Sequence, residues 1–207
     1  MSYDIYLLEP TTKETIEFPF GHLMVGGTFP AEYDEQTKKF FPRLHSEAWL
    51  NITYNYSGYY YTATDGDSRF AHDEVSAYYA DGTVGPTVTE YGIRGIYGKT
   101  GAESIPMLED MIARIEEKYK VNGEWIDTER EECRYVDKVT GKEVDYLNDI
   151  VCANKDPDSV KEEFYTEIVN EGPTDDYWKA TAGNAVKPLY QLLAMAKMRP
   201  DGIWDGD

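Results

Sequence analysis

The stretch from Ser104 to Lys120, SIPMLEDMIARIEEKYK, has the clearest pattern in the chain. Apolar residues recur there at helical spacing, at Leu108, Met111, Ile112, Ile115 and Tyr119. This spacing predicts an α-helix with one buried face. Ser104 is the predicted N-cap, because Pro106 then falls in the first turn, where its missing N–H costs little. Thr100 and Glu103 form an alternative capping box, which would move Pro106 into the helix interior.

A second pattern predicts a strand from Trp49 to Tyr56, WLNITYNY. Apolar and polar residues alternate there, with Leu50, Ile52, Tyr54 and Tyr56 on one face and Asn51, Thr53 and Asn55 on the other. Such alternation is typical of a strand with one face on the core. From Ser57 to Pro86, glycine, aspartate, serine and tyrosine mix without a sustained period, which predicts loops or short strands.

The two ends of the chain add further elements. Tyr3 to Leu8 and Thr15 to Phe18 flank a turn-like segment and predict a β-hairpin. Thr174 to Met198 predicts a second long helix, which Pro188 should kink or divide. Together these patterns predict an α+β protein in which an antiparallel sheet packs against two principal helices.

The segment before the last helix is strongly acidic. From Val121 to Ala180 it contains 17 Asp and Glu against 7 Lys and Arg. Glu124 to Asp137 and Lys142 to Ile150 flank a Val-Thr-Gly turn and predict a hairpin, and Phe164 to Val169 predicts another strand. With 207 residues, the chain is predicted to form one domain, residues 1–207, with an acidic β-rich insertion at 121–172.

The net charge of −19 limits the classes of partner. Nucleic-acid phosphates and anionic membranes would repel such a protein, so direct binding to either is not expected. A basic surface on a host protein, such as one that binds nucleic acid, is the natural complement. A solvated surface that keeps the protein soluble explains the same charge without any partner.

Membrane, metal and catalytic signals are weak in the sequence. It has no apolar run of the length that spans a bilayer and no export leader, so we expect a cytoplasmic protein. Cys133 and Cys152 stand without a nearby cysteine or histidine at ligand spacing, which predicts neither a disulfide framework nor a zinc site. The three histidines are far apart in sequence, and no nucleophile motif is present. We therefore expect no cofactor, no metal and no catalytic residue.

A glycine-rich run, GIRGIYGKTG at residues 92–101, directly precedes the predicted helix. Arg94, Tyr97, Lys99 and Thr100, together with flexible backbone amides, are candidates for binding an anion or a nucleotide. The run is not a phosphate-binding P-loop, because its first glycine stands one residue too far from Gly98. Alternatively, the glycines allow a tight packed turn, and the cations pair with carboxylates.

Two sets of residues are candidates for partner binding. Tyrosine gives large contact area at a low cost in side-chain entropy, and the chain has a tyrosine-rich region that includes Tyr78 and Tyr79. The candidate tyrosines in it are Tyr59, Tyr60 and Tyr61. The candidate acidic residues are Glu129, Glu131, Glu132, Asp145 and Asp149. Packing in the core explains the tyrosines equally well.

Five segments, together about a third of the chain, share a resemblance. They are MSYDIYL (1–7), the turn at Gly26-Gly27-Thr28, WLNITYNY (49–56), GIRGIYGKTGAESIPMLEDMI (92–112) and DYWKATAGNAVKPLYQLLAMAKMRPDGIWDGD (176–207). Together they resemble a family of small acidic proteins carried by phages, prophages and mobile elements of Gram-positive bacteria. The resemblance implies a phage accessory protein and supplies no catalytic residues. Most of the acidic segment lies outside it.

The sequence therefore predicts a non-enzymatic phage accessory protein that inhibits a host defence protein or nuclease through an acidic surface. Carboxylates spaced along a rigid surface would imitate a phosphate backbone and compete with nucleic acid. The alternative is a binder of nucleotide-like small molecules, or an enzyme acting on them, that uses residues 92–101. A structural or assembly factor of a phage is a third hypothesis.

Overall fold

A computed structural model describes residues 2–25, 31–78 and 83–207. The turn predicted at Gly26-Gly27-Thr28 and the residue Tyr79 lie outside these ranges. The chain divides into two compact units, a main unit of Met1–Trp125 with Gly172–Asp207 and a ribbon unit of Ile126–Glu171. Both contain antiparallel sheets, and the main unit also contains the long helices, which confirms the prediction of a mixed α+β protein. That the chain folds as one domain stays a prediction.

The regular elements are numbered in chain order. The strands are β1 (Ser2–Leu8), β2 (Glu17–His22), β3 (Ala31–Asp34), β4 (Lys39–Pro42), β5 (His45–Glu47), β6 (Trp49–Thr53), β7 (Ala71–Tyr78), β8 (Val84–Tyr91), β9 (Lys120–Val121), β10 (Glu124–Trp125), β11 (Asp127–Asp137), β12 (Glu143–Val144), β13 (Val160–Asn170) and β14 (Ile203–Gly206). The α-helices are α1 (Ser57–Thr64), α2 (Gly101–Tyr119) and α3 (Ala182–Met198).

The main sheet has β1 as its middle strand, between β14 and β6, and both pairings are antiparallel. Tyr3, Ile5 and Leu7 alternate with less buried residues along β1 and enter the core. The predicted hairpin of β1 with Thr15 to Phe18 forms only next to its turn, where the Glu9 N–H bonds to the Glu14 carbonyl and the Ile16 N–H bonds to the Leu7 carbonyl. Thr15 makes only an isolated bridge to Leu8, and the strand that follows, β2, pairs with β5.

The predicted strand at residues 49–56 ends at Thr53. The Thr53 hydroxyl accepts a hydrogen bond from the Asn55 N–H and caps a 3₁₀ turn at Tyr54–Tyr56, which leads directly into α1. Loops or short strands were predicted from Ser57 to Pro86. This was wrong for α1, whereas β7 and β8 are strands and pair as a hairpin. The sequence shows no clear apolar period for α1, because the adjacent residues Tyr59 and Tyr60 are both buried.

Helix α2 starts earlier than predicted. Thr100 and Glu103 form the capping box, with the Glu103 carboxylate accepting the Thr100 N–H at 2.8 Å, and Pro106 lies inside the helix. Ser104, the predicted N-cap, is instead fully buried. Its hydroxyl donates to the Gly101 carbonyl and accepts a hydrogen bond from the indole N–H of Trp204 at 2.7 Å. The buried hydrogen bond from Trp204 therefore holds Ser104 inside the helix, and Thr100 is the N-cap.

Helix α3 starts later than predicted, after the N-cap Thr181. The preceding residues form a loop that the buried side chain of Asn184 holds in place, because it bonds to Thr174 and to the carbonyls of Asp176 and Lys179. Pro188 is buried within an uninterrupted helix and does not divide it.

One hydrophobic core joins these parts of the main unit. Its buried side chains come from β1, β6 and β14 and from all three α-helices. Leu108, Met111, Ile112 and Ile115, predicted as the buried face of α2, all belong to it. Gly101, the first residue of α2, is also tightly packed. A Cβ at this position would lie 2.4 Å from the Arg199 carbonyl oxygen.

The ribbon unit is built on β11 and β13, which pair antiparallel along eleven residues each. The predicted strand at Phe164 to Val169 lies within β13. The predicted strand at Lys142 to Ile150 is wrong beyond Glu143–Val144, because Tyr146–Cys152 forms a π-helical segment. β11 therefore finds its main partner in β13, beyond the hairpin turn.

We expect Ser104→Ala to lower the free energy of unfolding by about 1–3 kcal/mol, because it leaves the buried N–H of Trp204 without its acceptor. The measurement is urea denaturation of the wild type, each single variant and the double variant with Trp204→Phe. In the Trp204→Phe background the serine substitution should cost much less, since no indole N–H remains. Equal costs in both backgrounds would show that this hydrogen bond is unimportant.

A second prediction concerns Asp67, whose carboxylate accepts hydrogen bonds from Arg69 and, at 2.7 Å, from Arg114 of α2. These bonds hold the pKa of Asp67 well below its usual value. Its stabilising contribution is therefore complete above pH of about 4 and is lost as the pH falls further.

Asp67→Asn should destabilise the protein at pH 7 and flatten the loss of stability between pH of about 5 and 2. Urea denaturation at a series of pH values measures both effects. Asp65→Asn, at an exposed neighbouring position, is the control. If both variants follow the wild-type pH profile, the pairs with Asp67 do not contribute.

Candidate functional site

The glycine-rich run at residues 92–101 forms a 3₁₀ turn at Ile93–Ile96 and then enters α2. Most of its backbone N–H groups are already used. Those of Gly95, Tyr97 and Lys99 bond within the run, and those of Gly98, Gly101 and Ala102 bond to the carbonyls of Trp204, Gly202 and Pro200. A backbone anion site needs free amides. The amides of this run instead connect it to the C-terminal segment. A Cβ on Gly95 would lie 2.4 Å from the Phe70 Cα, which shows how closely the turn is packed.

Arg94 has a structural role in this connection. Its guanidinium donates to the main-chain oxygen of Asp207 at 2.9 Å and to the Tyr54 hydroxyl at 2.7 Å. It also lies over the rings of Tyr3 and Tyr54, 5.4 and 5.8 Å from their centres. These contacts tie β14 to β1 and to the turn after β6.

A cavity of about 520 Å³ brings together three of the four predicted anion-binding residues, Arg94, Tyr97 and Lys99. The fourth, Thr100, is used in the capping box of α2. Asp73 and Asp207 line the same cavity. Their carboxylates oppose an anionic ligand, so the arrangement offers little support for a nucleotide site.

His72, Asp73 and Glu90 form a cluster that the sequence did not reveal. One donor atom from each lies within 4.8 Å of the others, which is close enough to hold a metal ion after small side-chain rotations. His72 Nδ1 already lies 3.2 Å from the Asp73 carboxylate, and its buried Nε2 has no hydrogen-bond partner in the described part of the chain. A ligating histidine usually donates its other N–H to an acceptor. With Nδ1, the atom beside Asp73, as the ligand, Nε2 has no such acceptor in the described part of the chain.

The three candidate tyrosines differ in exposure. Tyr59 and Tyr60 are buried, and their hydroxyls donate to the carbonyls of Ala180 and Ala185. They are core residues that attach α1 to the region around α3, so they are not available to a partner in this fold. Tyr61 is 47% exposed.

The candidate carboxylates lie in the ribbon unit, which contains 14 Asp and Glu against 6 Lys and Arg. Glu129, Glu131 and Glu132 lie on β11. Asp145 and Asp149 are exposed around the π-helical segment, where the Asp149 carboxylate accepts the Asp145 N–H.

The register of β11 and β13 separates the ribbon into two different faces. Directly opposite residues share a face of an antiparallel pair. One face carries Asp127, Glu129, Glu131, Cys133, Tyr135 and Asp137 from β11 and Val160, Glu162, Phe164, Thr166, Ile168 and Asn170 from β13. We call it the acidic face. It has five carboxylates and neither a lysine nor an arginine, and Phe164 and Ile168 are 62% and 59% exposed on it.

The opposite face, which we call the paired face, carries the basic residues of both strands: Arg130, Arg134 and Lys161. Arg134 and Lys161 both bind the Glu163 carboxylate, at 3.0 and 2.7 Å, and they lower its pKa. Arg130 binds the buried carboxylate of Glu171 at 2.7 Å. Glu132 also lies on this face, away from Glu129 and Glu131.

The sequence missed Glu162, Phe164 and Ile168 as members of a surface with Glu129 and Glu131. Strand alternation alone groups residues within each strand, and it would have placed the three residues of β13 together. It does not say which face of β11 they join, because that depends on a pairing across about thirty residues.

Comparison of the chain with models of known families, with curated proteins and with solved structures found no match. The resemblance to phage-borne proteins therefore stays a prediction. Within the described ranges, no helix is both long enough and apolar enough to cross a bilayer.

The role of the glycine-rich run can be tested with Arg94→Ala and Lys99→Ala. The arginine variant should lose about 1–3 kcal/mol of unfolding free energy, because two hydrogen bonds of a charged group disappear. The lysine variant should stay within about 0.5 kcal/mol of the wild type.

Urea denaturation measures both variants, and titration calorimetry with ADP and ATP provides the second readout. We expect no heat from either nucleotide. Binding that both substitutions abolish would restore the run as an anion site, even if Arg94 also proves structural.

Proposed function

We propose that this protein is a non-enzymatic binding protein whose acidic face docks on a basic surface of another protein. The observation that supports this most is the segregation of charge on the ribbon. Five carboxylates share one face without a cation, while the three basic residues of β11 and β13 lie on the other face, two of them on Glu163 and one on Glu171. A surface that only served solubility would not need this separation.

The composition of the acidic face also favours a protein partner. Exposed apolar side chains beside charged groups match the make-up of protein interfaces, in which an apolar centre is surrounded by a polar rim. Phe164 and Ile168 supply the apolar part, and Glu129, Glu131 and Glu162 lie around them. The carboxylates would speed association with a basic surface and align it.

The spacing of the carboxylates limits how far the face imitates nucleic acid. Residues two apart on a strand are separated by about 6.8 Å, whereas one DNA strand carries a charge about every 3.4 Å along the helix axis. The acidic face thus has about half the linear charge density of one DNA strand. We infer that competition with nucleic acid, where it occurs, depends on the apolar contacts as well as on charge.

The biological setting follows from the resemblance described above. A phage accessory protein that acts in the host cytoplasm would use the acidic face to inhibit a host defence protein or nuclease with a basic surface. In this proposal the main sheet, packed against α2 and α3, is a rigid frame. Arg94, Thr100, Tyr59 and Tyr60 serve that frame, which is why we propose binding over catalysis.

The test compares two variants with the same change in charge. Glu129→Lys with Glu131→Lys reverses the acidic face, and Glu14→Lys with Glu117→Lys makes equal changes at exposed positions of the main unit. Immobilised wild type and both variants are exposed to lysate of a Gram-positive bacterium at low salt and eluted with a salt gradient, and bound proteins are identified by mass spectrometry.

We expect a basic protein that the wild type and the control variant retain and that the acidic-face variant loses. This protein should elute from the wild type and from the control variant as the salt concentration rises, because salt screens exposed charge pairs. Retention that is equal for all three proteins, or unaffected by salt, would show that the acidic face is not the binding surface.

A further inference from the structure

The ribbon has a long open edge. In the sheet order β12–β11–β13, β13 is an edge strand along all eleven of its residues, and no other strand of the described chain pairs with its outer side. Most of its residues are exposed. Edge strands of this length usually carry prolines or charged side chains, above all lysines, that prevent pairing with other chains. β13 has no proline, and Lys161 is its one lysine.

Hydrogen bonds at the end of the ribbon show which backbone groups point outward. The Asp137 N–H bonds to Lys142, towards β12, whereas the Lys138 N–H bonds to Ser159, next to β13. Backbone groups of successive strand residues point to opposite sides. Even-numbered residues of β11 therefore face β13, and their partners are the odd-numbered residues of β13.

The outward-pointing N–H and C=O groups of β13 thus belong to Glu162, Phe164, Thr166 and Ile168. The side chains of these same residues lie on the acidic face. A strand added to this edge would place its hydrogen-bonded residues directly opposite them. The open edge and the acidic face would then bind one ligand together.

We propose that the partner contributes an extended, lysine- or arginine-containing segment that pairs with the open edge of β13. This inference rests on the proposed function and names the element that the partner supplies. Main-chain hydrogen bonds to β13 provide affinity in such strand addition, and alternate side chains provide specificity. Apolar residues of the segment pack beside Phe164 and Ile168, and a basic residue lies opposite Glu162.

The negative charge of β13 favours a basic segment over a second copy of the chain as the strand that pairs with its open edge. β13 carries Glu162, Glu163 and Glu167 against Lys161. Edge-to-edge pairing of two copies would bring these carboxylates together, and like charges on neighbouring strands are destabilising. A basic segment instead meets a carboxylate on both faces, at Glu162 on the acidic face and at Glu167 on the paired face.

The probe is a short end-capped peptide, VKTTVKK, designed for antiparallel pairing. Its valines lie opposite Ile168 and Phe164, and its lysines opposite Glu167, Glu163 and Glu162. Two methylated forms serve as matched controls. N-methylation of both valines blocks N–H groups that face β13, whereas N-methylation of the lysines opposite Glu167 and Glu163 blocks only groups that face away.

The matched protein variants are Thr166→Pro and Thr166→Ala. Proline is tolerated in an edge strand where its missing N–H faces outward, so the first variant should keep the pairing of β13 with β11 while it obstructs the open edge. Circular dichroism and urea denaturation check that the fold is retained. Fluorescence anisotropy measures the affinity for the peptide at low salt.

We expect the wild type and Thr166→Ala to bind the peptide with affinities within about threefold, and Thr166→Pro to bind it at least about tenfold more weakly. The valine-methylated peptide should lose a similar factor, and the lysine-methylated peptide should not. Hydrogen exchange should slow on binding at the amides of Phe164, Thr166 and Ile168. Equal binding by Thr166→Pro, equal effects of the two methylations, or no binding by the wild type would overturn the proposal.

Two further results separate this inference from the proposed function. If Glu129→Lys with Glu131→Lys abolishes retention of the basic lysate protein while Thr166→Pro does not, the acidic face binds the partner and strand addition is wrong. If sedimentation shows a dimer of the wild type that Thr166→Pro converts to a monomer, a second copy occupies the edge and the proposal is also wrong.

Discussion

The strand β14 is the constraint on which the main unit depends. One of its edges pairs with β1, and on the other side Trp204 exchanges backbone hydrogen bonds with Gly98 and Lys99. The neighbouring carbonyls of Pro200 and Gly202 accept the first free amides of α2. A short terminal strand thus joins the sheet to the start of the longest helix, and Trp204 adds the buried bond to Ser104. The glycine-rich run and Arg94 are parts of the same connection, which gives the clustered glycines and Arg94 a structural role.

The ribbon unit follows a different principle. Its two long strands bury few side chains, and they are joined by the main-chain ladder, by cross-strand pairs and by the ion pairs of the paired face. Placing every basic residue of these strands on one face leaves the other face with a negative potential and two large apolar groups. The same protein therefore combines a frame held by burial with a surface whose features come from strand alternation.

The sequence predicted those elements whose position depends only on the spacing of nearby apolar residues. The buried face of α2, the strand at β1 and the strand within β13 follow from the spacing of apolar residues alone. The start of α2 was missed because the penalty for Pro106 is visible in the sequence, whereas the carbonyls of Pro200 and Gly202 that accept the α2 amides are distant along the chain. The start of α3 was missed for the same kind of reason, since the loop at Thr174 depends on Asn184. The glutamates of the candidate surface were predicted, but the split between Glu131 and Glu132 and the addition of Phe164 and Ile168 required the register.

The position of β1 between β14 and β6 has a consequence for how the protein is made. About two hundred residues separate β1 from β14 along the chain, so β1 leaves the ribosome long before the strand that completes its sheet. Contacts at such separations slow folding. The partners β11 and β13 lie much closer together in the chain, and the ribbon can pair while the main sheet still lacks an edge. During synthesis, β1 is therefore an apolar strand with one side unpaired, and such edges favour aggregation until β14 is made.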